Sequence, residues 1–156
     1  RRHKNQVQKY IVLSPGNKVK FGNDIELNAT KTVHRDNSTF GFKLKTDKFK
    51  LGYTSDTSYF DEIINEFKDC DILVINTMKP FGHRSHDHFS CDDCVNLIKN
   101  VKPKLAIITH FGQKMIELDP IVQAREIQRK TDVQTIAARD GMSVDLINYF
   151  ASMPRK

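Results

Sequence analysis

Hydrophobic and polar residues alternate in short stretches over the first 58 residues, a pattern that is typical of half-buried β-strands. Turn-forming residues separate the stretches, as in SPGN at residues 14–17 and GND at residues 22–24. This part of the chain is therefore predicted to consist of strands. The predicted strands cover residues 9–13, 18–21, 25–33, 39–45 and 49–53.

After residue 58 the apolar positions take up the spacing of a helix. Phe60, Ile63, Ile64 and Phe67 recur at intervals of three and four residues, so they share one face of a predicted helix over residues 59–67.

Two continuous apolar runs, at residues 71–75 and 105–109, predict strands that are covered on both faces. Between them, Ser90 and Asp93 have the spacing of a capping box, which predicts a helix from Ser90 to about Val101. A polar loop over residues 77–89 precedes that helix. The remaining predicted elements are a helix over residues 120–130 and a strand pair over residues 134–138 and 142–147.

The order of these elements, strands first and then strands alternating with helices, predicts an α/β protein with layered sheets and helices. The buried strands are too few for a complete doubly wound domain. The chain also starts with RRHKNQ, which is polar and basic and lacks an initiator Met. We therefore expect that the N-terminus is truncated or processed.

The composition is that of a single globular domain, with 156 residues, 38% apolar and 28% charged. Its apolar runs all fall short of the about 20 residues that span a membrane, so no membrane association is expected. The three cysteines, Cys70, Cys91 and Cys94, are too few for a disulfide framework and suggest a reducing, cytoplasmic setting. The single Cys-x-x-Cys pair is a weak metal motif, and Cys94 is expected to pack on the apolar face of its helix.

Positive charge is concentrated in the first third of the chain. Residues 1–50 carry 12 Lys and Arg against 4 Asp and Glu, within a net charge of +6 for the whole sequence. Such a region can attract phosphates or nucleic acid. The lysines also alternate with apolar residues, as in KLK and KFK, so an ordinary solvated strand face is the favoured explanation.

Three candidate ligands occupy the same kind of position. His34, Asp56 and His110 each follow a predicted strand, and ligands of layered α/β folds gather at the carboxyl ends of strands. Imidazole and carboxylate are usual ligands of Zn²⁺ in hydrolytic sites. Taken singly, each residue has a structural explanation; Asp56, for example, could cap the following helix.

Four segments together resemble a known family. They are TVHRDNSTFGFKL (32–44), GYTSDTSYFDEIINEFKDCDILV (52–74), HFSCDDCVNLIKNVKPKLAIITHFG (88–112) and IAARDGMSVDL (136–146). They look like the second half of a metallo-β-lactamase-fold hydrolase of the ribonuclease Z-like and phosphodiesterase-like branch. The resemblance implies half of a four-layer αββα sandwich, a mixed sheet with covering helices, with residues 1–156 as the C-terminal portion of one domain.

The resemblance also implies roles for individual residues. His34 would bind one metal ion, His110 a second, and Asp56 would bridge the two and take part in catalysis. His88 would contact the scissile phosphate or protonate the leaving oxygen; as an alternative, it is a surface loop residue. The implied cofactors are two divalent ions, zinc in the first place, with manganese or iron as alternatives.

The chain departs from the family in two respects. The metal motif His-x-His-x-Asp-His is absent, and GHRSHDHFS at residues 82–90 lacks the required Asp-His. Each metal would therefore lack most of its ligands, so the missing N-terminal half is expected to complete the site and this chain alone to be inactive. Asn76 replaces a glutamate of true ribonuclease Z, and residues 41–52 form a tight hairpin where that enzyme carries its transfer-RNA-gripping insertion.

The predicted function is hydrolysis at a dinuclear metal site that activates water, with phosphodiesters, in RNA or DNA, as the first substrate expectation. One alternative is the hydrolysis of small esters, lactones or cyclic nucleotides on the same fold. A non-catalytic nucleic-acid-binding module is the alternative from another class. A homodimer is compatible with all three.

Overall fold

The computed structural model describes residues 9–151, which form an eight-stranded mixed sheet and five helices. The strands are β1 (Lys18–Phe21), β2 (Ile25–Thr30), β3 (Gly41–Lys45), β4 (Lys50–Tyr53), β5 (Ile72–Lys79), β6 (Phe89–Ser90), β7 (Leu105–Thr109) and β8 (Gln134–Ala137). The helices are α1 (Ile63–Phe67), α2 (Cys91–Val101), α3 (Gln113–Glu117), α4 (Pro120–Thr131) and α5 (Leu146–Ala151).

Strand direction changes across the sheet. The order is β1-β2-β3-β4-β5-β7-β8, and the short β6 pairs with β5 off this path. β1 to β4 pair antiparallel, whereas β4, β5, β7 and β8 pair parallel. Because β3 lies between β2 and β4 and opposes both, β2 runs in the same direction as the parallel strands. The carboxyl ends of β2, β4, β5 and β7 therefore meet at one edge of the sheet.

One face of the sheet packs against the helices. Leu73 and Ile75 of β5, and Ala106 and Ile108 of β7, point to this face and belong to the main core. Fully burying a Leu, Ile or Phe side chain contributes about 1.5–3 kcal/mol, so this layer supplies much of the stability. The helical side chains of this core include Ile63, Phe67, Leu97, Ile98, Ala124 and Ile127.

Helix α2 begins and ends where the sequence predicts. The Ser90 side chain accepts a hydrogen bond from the Asp93 backbone N–H, and the Asp93 carboxylate accepts one from the Ser90 N–H at 2.9 Å. These bonds satisfy two N–H groups that a helix start leaves unpaired. Lys102, in the left-handed conformation, ends the helix.

The opposite face of the sheet is apolar, and among the described residues most of its side chains are only half-buried, although Ile72 and Leu105 are fully buried. Strand register places every second residue there, so the apolar residues form cross-strand rows. A face of this composition is typical of a sheet that forms an inner layer of a sandwich. Its apolar side chains include Leu27, Phe42, Leu44, Val74, Ile107 and Ile136.

Three predicted elements differ from the structure. Residues 9–13, which lie within the described chain, form no strand. Residues 142–147 do not pair with β8 either, since 142–145 are irregular and 146–147 begin α5. Residues 9–13 form a short apolar run and residues 142–147 alternate, and either pattern gives a strand only where a neighbouring strand is available to pair with it. The helix predicted over residues 59–67 is shortened to α1, and the five-residue α3 is additional.

The described helices are too short or too polar to cross a lipid bilayer.

Candidate metal centre

His34 follows β2 in a loop whose backbone is held by the loop after β4. The Thr57 hydroxyl accepts a hydrogen bond from the Val33 N–H at 2.9 Å, and the Ser58 N–H donates to the Val33 carbonyl at 2.8 Å. Thr57 is fully buried, so this connection is shielded from water. The two loops therefore fix the position of the chain immediately before His34.

Asp56 lies in the loop after β4, and it does not cap α1. That helix starts at Ile63, and its N-cap residue is Glu62, without a side-chain cap bond. Ser55, just before Asp56, has a φ of 58°, in the left-handed region that non-glycine residues rarely occupy. Such backbone conformations recur where a structure must hold a functional side chain in place.

His110 follows β7 and approaches Asp56 across the sheet edge. Its Nε2 atom lies 3.3 Å from Asp56 Oδ1. His110 also has a left-handed φ, of 61°, and the Gly112 N–H anchors the following loop to the Met78 carbonyl at 3.2 Å. The chain thus turns sharply at the end of the strand and directs this imidazole toward the site.

His88 stands between the other two histidines. Its ring centroid lies 5.2 Å from that of His34 and 5.5 Å from that of His110. Burial lowers the pKa of His88, and the nearby carboxylate of Asp56 opposes this only in part, so the imidazole is neutral at neutral pH. Its Nδ1 atom is buried and has no hydrogen-bond partner among the described residues.

An ion pair joins the two loops that carry His34 and His88. Arg35 Nε lies 2.6 Å from Asp87 Oδ2, and each residue is the sequence neighbour of one of the histidines. The Arg35 side chain is 84% exposed, so the pair adds little to stability. Its effect is to hold the two loops together.

These side chains fit a divalent metal ion. His34, Asp56 and His88 each offer a donor atom, and the three atoms lie within 4.8 Å of one another. Ligand atoms around one zinc ion lie about 3.4 Å apart, so small side-chain rotations would close this group. The unpaired Nδ1 of His88 and the contact between Asp56 and His110 extend the same cluster. The structure thus brings together all four residues that the sequence singled out, and their individual roles stay predictions.

Asn76 was identified from the sequence only as a departure from ribonuclease Z, yet it binds Asp56 directly. Its Nδ2 donates to Asp56 Oδ1 at 2.6 Å and to the Tyr53 hydroxyl at 3.2 Å. The residue is 5% exposed, and its backbone N–H donates to the Thr54 hydroxyl at 3.0 Å. An amide in an otherwise apolar run, ILVINT, is the sequence signal that could have marked it.

Replacing Asn76 with leucine is expected to weaken metal binding without unfolding the protein. The variant leaves Asp56 Oδ1 without its closest donor, and losing a partner that orients a ligand costs about 10–100-fold in metal affinity. Competition between protein and a chromophoric chelator for Zn²⁺ measures the change. Asn100→Leu, on the exposed side of α2, is the matched control, and equal affinities for both variants would contradict the role of Asn76.

The two cysteines of the Cys-x-x-Cys pair point into the core. Cys91 and Cys94 are both fully buried, and Cys94 Sγ lies 3.0 Å from the Thr77 hydroxyl oxygen. Burial raises the pKa of Cys91 to about 12, so its thiol stays protonated and is a poor ligand and nucleophile. The structure therefore supports the packing role predicted for Cys94.

The sheet is mixed, helices cover one of its faces, and histidines and an aspartate lie at the carboxyl ends of its strands. This is the arrangement of the metallo-β-lactamase fold, which the sequence resemblance predicted. The chain belongs to the β-lactamase superfamily, since the family model of the beta-lactamase superfamily domain matches residues 2–111.

Three similar proteins are each longer than this chain. An uncharacterized protein of Methanocaldococcus jannaschii is 34% identical over 148 residues, which are 94% of this chain and 54% of that protein. A ribonuclease Z of Nitrosopumilus maritimus is 24% identical over 135 residues, 83% of this chain and 42% of that protein. The metallo-beta-lactamase fold protein YhfI of Bacillus subtilis superposes with a TM-score of 0.75 at 18% identity, covering 86% of this chain and 54% of that one. The chain thus spans about half the length of these proteins or less.

Proposed function

We propose that this chain is the C-terminal portion of a single metallo-β-lactamase-fold domain and contributes to a metal-dependent hydrolase that cleaves phosphodiester bonds. The observation that carries the proposal is the cluster at one sheet edge, where donor atoms of His34 and Asp56 lie within 4.8 Å of each other and His110 Nε2 lies 3.3 Å from Asp56 Oδ1. Imidazoles and a carboxylate with this spacing are suited to a divalent cation rather than to nucleophilic catalysis by a side chain.

His34, Asp56 and His110 would hold two divalent ions, zinc in the first place, with manganese or iron as alternatives. When bound, such ions supply Lewis-acid polarisation of a phosphoryl oxygen and lower the pKa of water. Three residues offer fewer donors than two ions require, because even a catalytic zinc usually takes three ligands from protein. We therefore propose that another segment or chain supplies the remaining ligands, and that this chain is inactive alone.

The residues of this chain would perform distinct tasks. Asn76 donates to Asp56 and would orient that carboxylate. The neutral imidazole of His88 can donate an N–H to a phosphate oxygen, and the negative phosphate would raise the pKa of His88 toward a value suited to protonating the leaving oxygen. His34 and His110 flank it on either side.

Phosphodiesters are favoured as substrates for two reasons. The similarity to a ribonuclease Z extends over 83% of this chain, and residues 1–50 are strongly basic. Transfer RNA maturation is not proposed, because β3 and β4 are joined by a tight turn at residues 46–49 in place of a long insertion. The free, buried Cys70, Cys91 and Cys94 suit the reducing, cytoplasmic setting that we propose.

The test is hydrolysis of bis-p-nitrophenyl phosphate by the full-length protein loaded with Zn²⁺ or Mn²⁺. His88→Ala should lower kcat by about 100-fold with the metal content unchanged, because it removes the N–H that would contact the phosphate oxygen. His86→Ala, an exposed histidine in the same loop, is the matched control and should behave as wild type. An intact phosphodiester alongside rapid cleavage of p-nitrophenyl acetate would instead favour an esterase and overturn the substrate assignment.

A further inference from the structure

Tyr53 contacts the residue that binds Asp56. Its hydroxyl accepts a hydrogen bond at 3.2 Å from Asn76 Nδ2, the same nitrogen that donates to Asp56 Oδ1 at 2.6 Å. Tyr53 is the last residue of β4, and Asn76 lies on the neighbouring β5. The three side chains therefore form one chain of hydrogen bonds, which runs from the tyrosine through the amide to the carboxylate.

Strand pairing brings Tyr53 to Asn76 from a diagonal position. Tyr53 pairs with Val74, and Asn76 lies two residues further along β5, so its side chain points to the same face of the sheet. A diagonal neighbour lies within reach of a long aromatic side chain. The ring of Phe42, on β3, has its centroid 5.3 Å from that of Tyr53 and limits the movement of the tyrosine ring.

The amide of Asn76 is fixed because both of its N–H groups donate. A side-chain amide carries two donors on one nitrogen, and the plane of the amide sets their directions. With a bond to Asp56 alone, the amide could rotate about that bond and still donate. The second bond, to a tyrosine that is held in the sheet, fixes the plane of the amide and therefore the direction of the N–H that points to Asp56.

The orientation of this amide is unfavourable for its own oxygen atom. Asn76 is 5% exposed, and its Oδ1 atom is buried without a hydrogen-bond partner among the described residues. A buried polar atom without a partner costs free energy. A flipped amide would place Oδ1 against the carboxylate of Asp56, where two acceptors would meet. The observed orientation therefore favours the carboxylate at the expense of stability.

The backbone of Asn76 is attached to the loop that carries Asp56. Its N–H donates to the Thr54 hydroxyl at 3.0 Å, and that hydroxyl donates to the Ser55 carbonyl at 3.0 Å. Thr54 is buried, so these bonds are shielded from water. Because the backbone is held in this way, the main freedom left to Asn76 is the rotation of its side chain, which the bond to Tyr53 restricts.

We infer that Tyr53 is a positioning residue for the candidate metal ligand Asp56 and acts through Asn76. The inference rests on the proposed function, in which Asp56 holds metal. Asn76 and His110 both approach Oδ1 of Asp56, so rotation of the carboxylate decides where its second oxygen points. By fixing the amide, the Tyr53 hydroxyl limits that rotation and prepares the carboxylate for a metal ion. Hydrogen-bond partners of metal ligands tune metal affinity by this kind of orientation.

Tyr53→Phe tests the inference, because it removes the hydroxyl and keeps the ring. The full-length variant should bind Zn²⁺ about 3- to 10-fold more weakly in competition with a chromophoric chelator, the usual effect of one hydrogen bond. The loss should be smaller than that of Asn76→Leu, which removes the direct donor. Tyr59→Phe is the matched control, because it also removes one hydroxyl from a half-buried tyrosine, whose ring contacts Phe89, and it should bind Zn²⁺ as wild type does.

A double variant separates positioning from a general loss of packing. In the Asn76→Leu background, Tyr53→Phe should cause no further loss of Zn²⁺ affinity, because the hydroxyl acts only through the amide. Additive losses would overturn the inference, and so would equal affinities of Tyr53→Phe and Tyr59→Phe.

The side-chain amide of Asn76 gives a readout that needs no metal. In the metal-free protein, its two N–H signals in a nitrogen–proton correlation NMR spectrum, assigned from their absence in Asn76→Leu, should exchange slowly with water. Tyr53→Phe should speed this exchange, and unchanged exchange would overturn the inference. Faster exchange in a protein that binds no Zn²⁺ would refute the proposed hydrolase while supporting the hydrogen-bond chain, so the two failures are distinguishable.

Discussion

Replacing Asp56 with alanine is expected to abolish hydrolysis and to lower metal affinity by more than about 100-fold. Asp56 supplies the carboxylate of the cluster, and its Oδ1 atom receives Asn76 Nδ2 at 2.6 Å and lies 3.3 Å from His110 Nε2. Losing a residue that orients a ligand already costs about 10–100-fold, so losing the ligand itself should cost more. Metal content after dialysis and turnover of bis-p-nitrophenyl phosphate measure the two effects.

Asp56→Asn separates charge from shape in the same experiment. An asparagine keeps the size of the side chain but removes the negative charge, so it should lose nearly as much metal as the alanine variant. Asp61→Ala, an exposed acid shortly before α1, is the control. If Asp56→Ala retained both metal and activity, the hydrolase proposal would fail.

Replacing Gly41 with alanine is expected to destabilise the protein by about 3 kcal/mol, at the upper end of overpacking effects. A Cβ atom there would lie 2.6 Å from the Thr30 hydroxyl oxygen, 2.6 Å from the Tyr53 carbonyl oxygen and 2.8 Å from that of Thr54. Two of these neighbours are backbone atoms of the segment that leads to Asp56. The strands must therefore move apart at the position where the site begins.

Thermal unfolding measures this loss as a fall in Tm of about 6–12 °C for a protein of this size. Gly82→Ala is the control, because its Cβ would enter open space and only its left-handed φ of 73° is strained. That strain costs about 1 kcal/mol. A Gly41→Ala variant as stable as Gly82→Ala would show that the close approach of backbone at Gly41 is not required.

The elements that the sequence predicts well are those with a strong local cause. α2 is defined by its own capping box, and β5 and β7 by continuous apolar runs. Residues 9–13 and 142–147 show equally regular alternation, yet they form no strand in the described chain. A strand requires a partner with unpaired backbone groups, and alternation within one segment says nothing about its neighbours.

In the candidate site, too, the sequence predicts one part, the candidate ligands, and misses another, the residues that position them. Residue types and strand-end positions mark His34, Asp56 and His110, and the family resemblance marks His88. The partners that hold them do not appear in any local pattern. Thr57 binds the backbone beside His34 from 24 residues away, and Asn76 binds Asp56 from 20 residues away. Such contacts depend on the register between strands.

The sequence by itself determined the order of strands and helices, the α/β class and the residue types of a metal-dependent site, because each follows from short-range spacing and side-chain chemistry. Tertiary structure alone decided that these residues meet. The reversal at β3 makes β2 run parallel to β4, which brings His34 to the edge where Asp56 and His110 lie. Only pairing between strands determines which residues become neighbours in space.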